Sequence, residues 1–156
     1  MRKINEIIVH CTATPEGKDF SVADIDRWHR ARGFDGIGYH YVVCRDGSVH
    51  KGRDVAKRGA HCKGHNAGSI GVCYVGGMTA DGKTPKDTRT EAQRAALRAL
   101  VEWLRREPPG GKRSRAQRVF KQGVPLFQRT NGAVAYETVG VDGVRPADGG
   151  VRHYKE

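Results

Sequence analysis

The sequence predicts an α/β protein with one core. Three observations indicate this class: a β-branched run near the start, an Asp-Gly turn between two alternating segments, and two amphipathic stretches with helical spacing. Strand and helix patterns alternate along the first two thirds of the chain. At 156 residues, the chain has about the length of one domain and buries enough surface to fold unaided.

The first predicted strand ends beside a histidine, and the first predicted helix follows it. Residues 6–11 (EIIVHC) form a short β-branched run, which is typical of a buried strand and carries His10 to the strand's C-terminal end. Ser21 followed by Asp24 is a capping pattern. The apolar spacing after it predicts an amphipathic helix over residues 21–32.

A hairpin and a further buried strand come next. Asp46-Gly47 is the strongest short-range hairpin signal, so residues 39–44 and 48–51 are expected to pair as antiparallel strands. Residues 69–75 (SIGVCYV), which are bounded by glycines, predict another buried strand.

The second predicted helix starts near residue 88. Thr88 and Glu91 match a capping box, and apolar residues recur at helical spacing as far as Leu104. After the Pro-Pro-Gly-Gly segment the chain is basic, rich in Gly and Val, and without a clean period. We therefore divide the chain into a folded part, residues 1–107, and an atypical tail, residues 108–156, for which disorder is one expectation.

The chain is strongly basic. It has 28 Lys and Arg against 17 Asp and Glu, a net charge of +11, and residues 105–156 carry about half of that excess. This balance favours a polyanionic partner such as nucleic acid, an anionic membrane surface or cell wall. Because no nucleic-acid-binding motif is present, we expect no nucleic-acid partner. The start of the chain has only a brief apolar run, which indicates neither a secretory signal nor a membrane span. We therefore expect synthesis in the cytoplasm.

Seven histidines and four cysteines raise the question of a metal site. The cysteines have no CxxC pair and are interpreted as mostly buried, reduced thiols. His10 is well placed for a ligand because a strand end is rigid, although a lone histidine there is more often structural. His61 and His65 would share a helix face, but the surrounding glycines disfavour a helix, so we interpret this segment as a polar loop.

Tyr39 and His40 are adjacent at the entry to a predicted strand. Strand alternation sends their side chains to opposite faces of the sheet. One interpretation is a core aromatic with an exposed histidine. The other is that a single sheet face carries both His10 and Tyr39, and such a face would be a functional site.

Four segments resemble successive blocks of the type 2 N-acetylmuramoyl-L-alanine amidases, a family that includes small phage endolysins and the peptidoglycan recognition proteins. These segments are residues 7–14 (IIVHCTAT), 24–34 (DIDRWHRARGF), 36–53 (GIGYHYVVCRDGSVHKGR) and 65–77 (HNAGSIGVCYVGG). They occur in the family's order over about the first two thirds of the chain. The resemblance implies a central mixed β-sheet flanked by helices, so residues 1–107 would be an amidase-like domain that lacks the family's C-terminal part.

The resemblance also implies a function. It is zinc-dependent hydrolysis of the amide bond between N-acetylmuramic acid and L-alanine in peptidoglycan. His10 corresponds to a zinc ligand, and Tyr39 to a catalytic tyrosine that assists proton transfer or hydrogen-bonds the oxyanion. His65 and Asn66 correspond to substrate contacts. We expect Zn²⁺ as cofactor, peptidoglycan as partner, a monomer, and action on the cell wall after release or a cytoplasmic role.

The expected zinc site is incomplete in this sequence. The family's other two ligands follow the second helix, as a histidine and as a cysteine in an ACPSF-like segment. Here no cysteine follows Gly111, and the only histidine after it is His153. A catalytic zinc needs three protein ligands. The alternative function is therefore a catalytically inactive peptidoglycan-binding module.

A single-base frameshift would explain the missing ligands. Residues 116–129 (AQRVFKQGVPLFQR) can be encoded by bases that give HNEFSSKACPSFN when read one position later. That string contains both a histidine and the ACPSF segment. The hypothesis is that the basic, Gly/Val-rich tail arises from a frameshift between the second helix and Ala116. Codons that do not permit the shifted reading would refute it.

Overall fold

The computed structural model describes residues 2–106 and, beyond them, the backbone of three strands. The described elements are, in chain order, β1 (Glu6–Cys11), β2 (Thr14–Pro15), α1 (Val22–Ala31), β3 (Tyr41–Val43), β4 (Val49–Lys51), β5 (Ser69–Tyr74), β6 (Gly77–Met78), α2 (Glu91–Arg106), β7 (Arg118–Gln122), β8 (Ala133–Val139) and β9 (Val151–Lys155).

A mixed sheet forms the centre of the molecule, with the strand order β4-β3-β5-β1-β7-β8-β9. Strands β3, β5, β1 and β7 run parallel to one another, whereas β4, β8 and β9 are antiparallel to their neighbours. Strand β1 lies in the middle and pairs along its full length with β5. A short parallel pair, β2 with β6, lies apart from this sheet.

The two helices cover opposite faces of the sheet. Alternation along β5 sends Val72 and Tyr74 towards α2, where they pack with Leu97 and Leu104. The same alternation sends Cys73 towards α1, where a smaller cluster gathers. That cluster contains Ile25, Ile37, Tyr39, Val42, Cys73 and Val75. The prediction of an α/β fold with a central mixed sheet flanked by helices is therefore confirmed.

Helix α1 begins where its capping pattern predicts. The Asp24 amide donates to the Ser21 hydroxyl at 3.2 Å, and the Ser21 amide donates to the Asp24 carboxylate at 2.8 Å. This reciprocal capping box satisfies amides that the first helical turn leaves unpaired. The predicted hairpin also forms, with Val42 opposite His50, although its strands are shorter than the sequence pattern indicates.

Helix α2 begins two residues later than predicted, because a different threonine caps it. The Gln93 amide donates to the Thr90 hydroxyl, and the Thr90 amide donates to the Gln93 side chain, each at 3.0 Å. Thr88 accepts instead from the Gly77 amide at 2.7 Å. The Thr88–Glu91 capping box was therefore wrong. Gln93 also donates to the carbonyl of Val75 at 2.9 Å, which attaches α2 to the end of β5.

The tail, residues 108–156, falls mostly outside the described residues. Strands β7, β8 and β9 belong to it, and the sequence pattern did not predict them, because no stretch there alternates cleanly. Its side chains, including that of His153, lie outside the described part of the chain. The division at residue 107 therefore stays a prediction. Neither described helix has the length and apolar character needed to cross a lipid bilayer.

Candidate functional site

The fold brings His10 and Tyr39 together on the face covered by α1. Their ring centroids are 5.3 Å apart, and both side chains are buried. His10 is the residue of β1 that lies opposite Cys73, which belongs to the apolar cluster under α1. One sheet face thus carries both residues, as the second interpretation of the sequence requires. Their chemical roles stay predictions.

His61 joins this pair, which the sequence pattern did not indicate. The segment between β4 and β5 is a loop, as predicted, but His61 turns inward and is only 6% exposed. Its Nδ1 lies 2.8 Å from Nε2 of His10, and its Nε2 lies 3.2 Å from the hydroxyl of Ser69. His61 and His65 do not share a helix, as predicted, but a loop histidine can still be buried, and His61 is.

Two glycines make the space that His61 occupies. A Cβ atom built on Gly71 would lie 2.5 Å from the His61 ring, and one built on Gly59 would also lie 2.5 Å from it. Real side chains do not approach this closely, so any side chain at either position would displace the imidazole. Because Gly71 lies ten residues beyond His61 in the sequence, no local pattern marks this slot.

His29 approaches the same tyrosine from α1. Its ring centroid lies 5.2 Å from that of Tyr39, and its Nδ1 accepts the Gly38 amide at 2.9 Å. Nδ1 is therefore unprotonated, and the neutral ring carries its proton on Nε2. Burial, with smaller contributions from the charges of Arg32 and Arg53, lowers the pKa of His29 to about 4. The ring is thus neutral at pH 7.

The other buried imidazoles are neutral for the same reason. Burial, with a smaller contribution from His29, lowers the pKa of His10 to about 3. Burial also lowers the pKa of His40 to about 4 and holds the pKa of His61 well below its ordinary value. A neutral imidazole keeps a lone pair on one ring nitrogen, which is the form that acts as a base or binds a metal.

His40 is not the exposed residue that the first interpretation of the Tyr39-His40 pair expected. It is fully buried, and its Nδ1 accepts the Gly71 amide at 3.0 Å. Its Nε2 lies 3.0 Å from the carbonyl of Lys57, to which it donates. His40 therefore replaces backbone pairing at the end of β3, and its contacts are structural.

A groove opens beside Tyr39. It has a volume of about 210 Å³, and its lining residues are Thr12, Ile25, Trp28, His29, Arg32 and Tyr39. Two aromatic side chains, an aliphatic one, an imidazole, a hydroxyl and a guanidinium thus line one concave surface. Mixed linings of this kind suit a ligand that has both apolar and polar parts.

The two predicted substrate contacts lie elsewhere in the described structure. The Asn66 side-chain oxygen accepts the amides of His61 and Cys62, each at 2.9 Å, and so closes the loop that carries His61. His65 lies 2.8 Å from the carboxylate of Glu6. Neither residue lines the groove beside Tyr39. Their role in substrate binding stays a prediction.

The described residues do not make a zinc site. Among them, no three His, Cys, Asp or Glu side chains are placed to hold one metal ion. Nε2 of His10 and Nδ1 of His61 are hydrogen-bonded to each other, so these two nitrogens do not point at a shared metal position. None of the four cysteines forms a disulfide, and those at 11, 62 and 73 are buried, as predicted. A full donor set would need side chains from beyond residue 106.

The family model and the similar proteins point to the same family. Residues 1–130 match the family model Amidase_2, described as N-acetylmuramoyl-L-alanine amidase. The endolysin of Klebsiella phage KP32 is 39% identical over 126 residues, which cover 81% of this chain and 83% of that protein. The endolysin of Escherichia phage T7 is 39% identical over 121 residues, which cover 78% and 80%.

Solved structures agree with this fold. The N-acetylmuramoyl-L-alanine amidase LysC from Clostridium intestinale matches with a TM-score of 0.58 and 30% identity over 67% of this chain and 64% of its own. This chain therefore spans slightly less than two thirds of that amidase. The Drosophila peptidoglycan recognition protein LB matches with a TM-score of 0.60 at 20% identity, over 76% and 69%, and supports the fold alone.

Proposed function

This chain belongs to the N-acetylmuramoyl-L-alanine amidase family, and from that premise we propose that it hydrolyses the amide bond between N-acetylmuramic acid and L-alanine in peptidoglycan. The observation that carries the proposal is the meeting of His10 and Tyr39 on one sheet face, with a groove beside Tyr39. The site would act on the cell wall after release from the cytoplasm.

The described residues support this chemistry in two ways. Burial keeps His10 neutral at pH 7, so one of its ring nitrogens holds a lone pair. The Tyr39 side chain lies against both His10 and His29, which fixes its ring at the edge of the groove. A tyrosine hydroxyl held in this way can donate to the oxygen that becomes negative when an amide carbonyl is attacked.

The proposed cofactor is zinc. The family implies zinc, but the described residues by themselves do not fit a catalytic zinc. The frameshift hypothesis resolves the mismatch, because the shifted reading of residues 116–129 contains one histidine and one cysteine. Together with His10 they would give the three ligands that a catalytic site needs.

Two chains that differ only after residue 115 test the proposal. One has the sequence as it stands, and the other carries HNEFSSKACPSFN and the rest of the shifted reading. Zinc content and the release of new L-alanine amino groups from purified peptidoglycan are measured for both. We expect zinc and hydrolysis from the shifted chain, and loss of hydrolysis in its His10→Gln variant. A shifted chain that binds no zinc would refute the frameshift as the source of the missing ligands, and hydrolysis by a zinc-free chain would refute zinc dependence.

A second candidate function rests on the absence of a three-residue metal site among the described residues. In this case the chain binds peptidoglycan without cutting it. Sedimentation with insoluble cell wall separates the two functions, because a binding module pellets with the wall and leaves its amide bonds intact. A chain that neither pellets with the wall nor cleaves it would exclude both functions.

A further inference from the structure

Arg53 joins the two chain segments that enclose Tyr39. It lies two residues after β4, and although it is charged, its side chain is only 12% exposed. Its Nε donates to the carbonyl of Ile37 at 2.8 Å, Nη1 to the carbonyl of Arg58 at 3.0 Å, and Nη2 to the carboxylate of Asp35 at 2.5 Å. All three nitrogens of the guanidinium are therefore engaged, and its planar, rigid donor geometry fixes the spacing of these acceptors.

The backbone of Arg53 contacts Tyr39 directly. The Arg53 amide donates to the Tyr39 carbonyl at 2.8 Å, and the Gly52 amide donates to the His40 carbonyl at 2.9 Å. These bonds continue the antiparallel pairing of β3 with β4 past the ends of the two strands. Because the Arg53 side chain also holds the Ile37 carbonyl, one residue holds the chain both before Tyr39 and at Tyr39.

The other side of the same segment is held by α1. The Asp26 carboxylate accepts the Ile37 amide at 2.8 Å, and Nδ1 of His29 accepts the Gly38 amide at 2.9 Å. The Gly38 carbonyl accepts the Ala60 amide at 3.2 Å. A Cβ atom built on Gly38 would lie 2.0 Å from the Ala60 carbonyl oxygen, so only glycine lets these two backbones approach. The segment therefore lies between α1 and the loop after β4, in contact with both.

We propose that Arg53 is a positioning residue for Tyr39: by joining the segment before Tyr39 to the loop that leads to His61, it fixes where the tyrosine ring lies at the edge of the groove. The Asp35 carboxylate contributes least, because that side chain is 85% exposed and surface ion pairs are weak. The effect on catalysis rests on the proposed function, whereas the effect on the Tyr39 ring does not. A tyrosine that must meet an oxyanion tolerates little displacement, since about 1 Å can cost about 100-fold in rate.

The first test labels the full chain with 3-fluorotyrosine and adds no metal. The chain has five tyrosines, and single Tyr→Phe variants assign their ¹⁹F signals. We expect Arg53→Gln to shift the Tyr39 signal and to leave the signal of Tyr74, on the opposite face of the sheet, unchanged. Arg89→Gln is the matched control, because Arg89 also pairs with an aspartate, is 19% exposed and lies 5.9 Å from the Tyr74 ring centroid. It should shift Tyr74 and not Tyr39. An unchanged Tyr39 signal in Arg53→Gln, or equal shifts of both signals in both variants, would overturn the proposal.

A second variant separates geometry from charge. Arg53→Lys keeps the positive charge, but a single ammonium group cannot bond to both segments in the way that the planar guanidinium does. We therefore expect Arg53→Lys to shift the Tyr39 signal in the same direction as Arg53→Gln. Because this change is milder, it also decides the question if Arg53→Gln does not fold. A Tyr39 signal that stays at its original position in Arg53→Lys would overturn the proposal.

The catalytic consequence is measured in a chain that hydrolyses peptidoglycan. Arg53→Lys should lower kcat about 10- to 100-fold and change KM much less, because Tyr39 is expected to act on the oxyanion and not on the bound substrate. Arg89→Gln should leave both constants unchanged. An equal loss of kcat in the two variants would mean that Arg53 acts only through stability and would overturn the proposal. If the unsubstituted chain is inactive, that result counts against the proposed function alone, since the ¹⁹F spectra need no activity.

Discussion

The two faces of the central sheet bury side chains of opposite chemistry. Under α2 the buried residues are mostly aliphatic, and Ile7, Val72, Leu97 and Leu104 belong to one cluster there. Under α1 and its flanking loops, a tyrosine and four imidazoles lie among a smaller apolar cluster. Burial of apolar side chains on the α2 face stabilises the domain. On the α1 face, burying polar rings costs part of that free energy and holds the rings in fixed positions.

The comparison predicts that a cavity on the α2 face costs stability without affecting chemistry. Leu104 is fully buried there. We expect Leu104→Ala to lower the free energy of unfolding by about 2–5 kcal/mol, measured by urea denaturation. The peptidoglycan-binding or hydrolytic activity of the folded fraction should stay unchanged. A selective loss of activity at full stability would mean that the two faces are not separate in function.

On the α1 face, a single added methyl group should affect both the stability of the domain and the arrangement of its buried histidines. Gly71→Ala would force the His61 ring to move, and we expect a loss of about 1–3 kcal/mol in stability from overpacking. The ¹⁵N signals of His10 and His61 should change with it. Gly64→Ala is the matched control, because Gly64 has φ +85° and open surroundings. It should cost about 1–2 kcal/mol through backbone strain without moving either histidine.

The buried imidazoles should also make stability depend on pH. The unfolded chain protonates a histidine near pH 6.5, whereas folded His40 takes up its proton only near pH 4. Between these values the unfolded state binds more protons, so stability falls as pH falls. Each such histidine contributes a slope of about 1.4 kcal/mol per pH unit. Urea denaturation between pH 7 and pH 5 should give a shallower slope for His40→Gln than for the control His50→Gln.

Much of the fold follows from the sequence because its signals are local. The run at residues 6–11 predicts β1 and the position of His10 at its end, and Ser21 with Asp24 predicts the start of α1. The start of α2 was misplaced because Thr88 and Thr90 fit equally well in sequence, and only the fold commits Thr88 to the Gly77 amide. Local signals identify elements but do not choose between nearby caps.

Of the residues at the candidate site, the sequence predicted His10 and Tyr39 but not His61. The family resemblance implied that His10 and Tyr39 share one site, whereas strand alternation left two interpretations of Tyr39 open. His61 could not be found in this way, because its burial depends on Gly71, which lies ten residues further along the chain and meets it only after β5 pairs with β1. A slot formed by distant glycines has no period in the sequence.

The smallest expected effect tests whether the α2 face is purely apolar. The Tyr74 hydroxyl is buried and has no hydrogen-bond partner within the described part of the chain. Removing such an unsatisfied group in Tyr74→Phe should stabilise the protein by about 1 kcal/mol, measured as a higher urea midpoint at unchanged m-value. A loss of stability instead would place a partner for this hydroxyl among the residues after 106.

The central position of β1 has a consequence for how long the site survives thermal motion. This strand is hydrogen-bonded to β5 along one edge and through Glu6–Ile8 to β7 along the other. Strands enclosed on both sides exchange their amide protons with solvent only when the whole domain opens. Glu6–Ile8 should therefore belong to the slowest-exchanging part of the molecule, and His10, two residues further along the same strand, is held by its pairing with β5. The face under α1 is thus built on the most persistent strand of the sheet and is assembled before any ligand arrives.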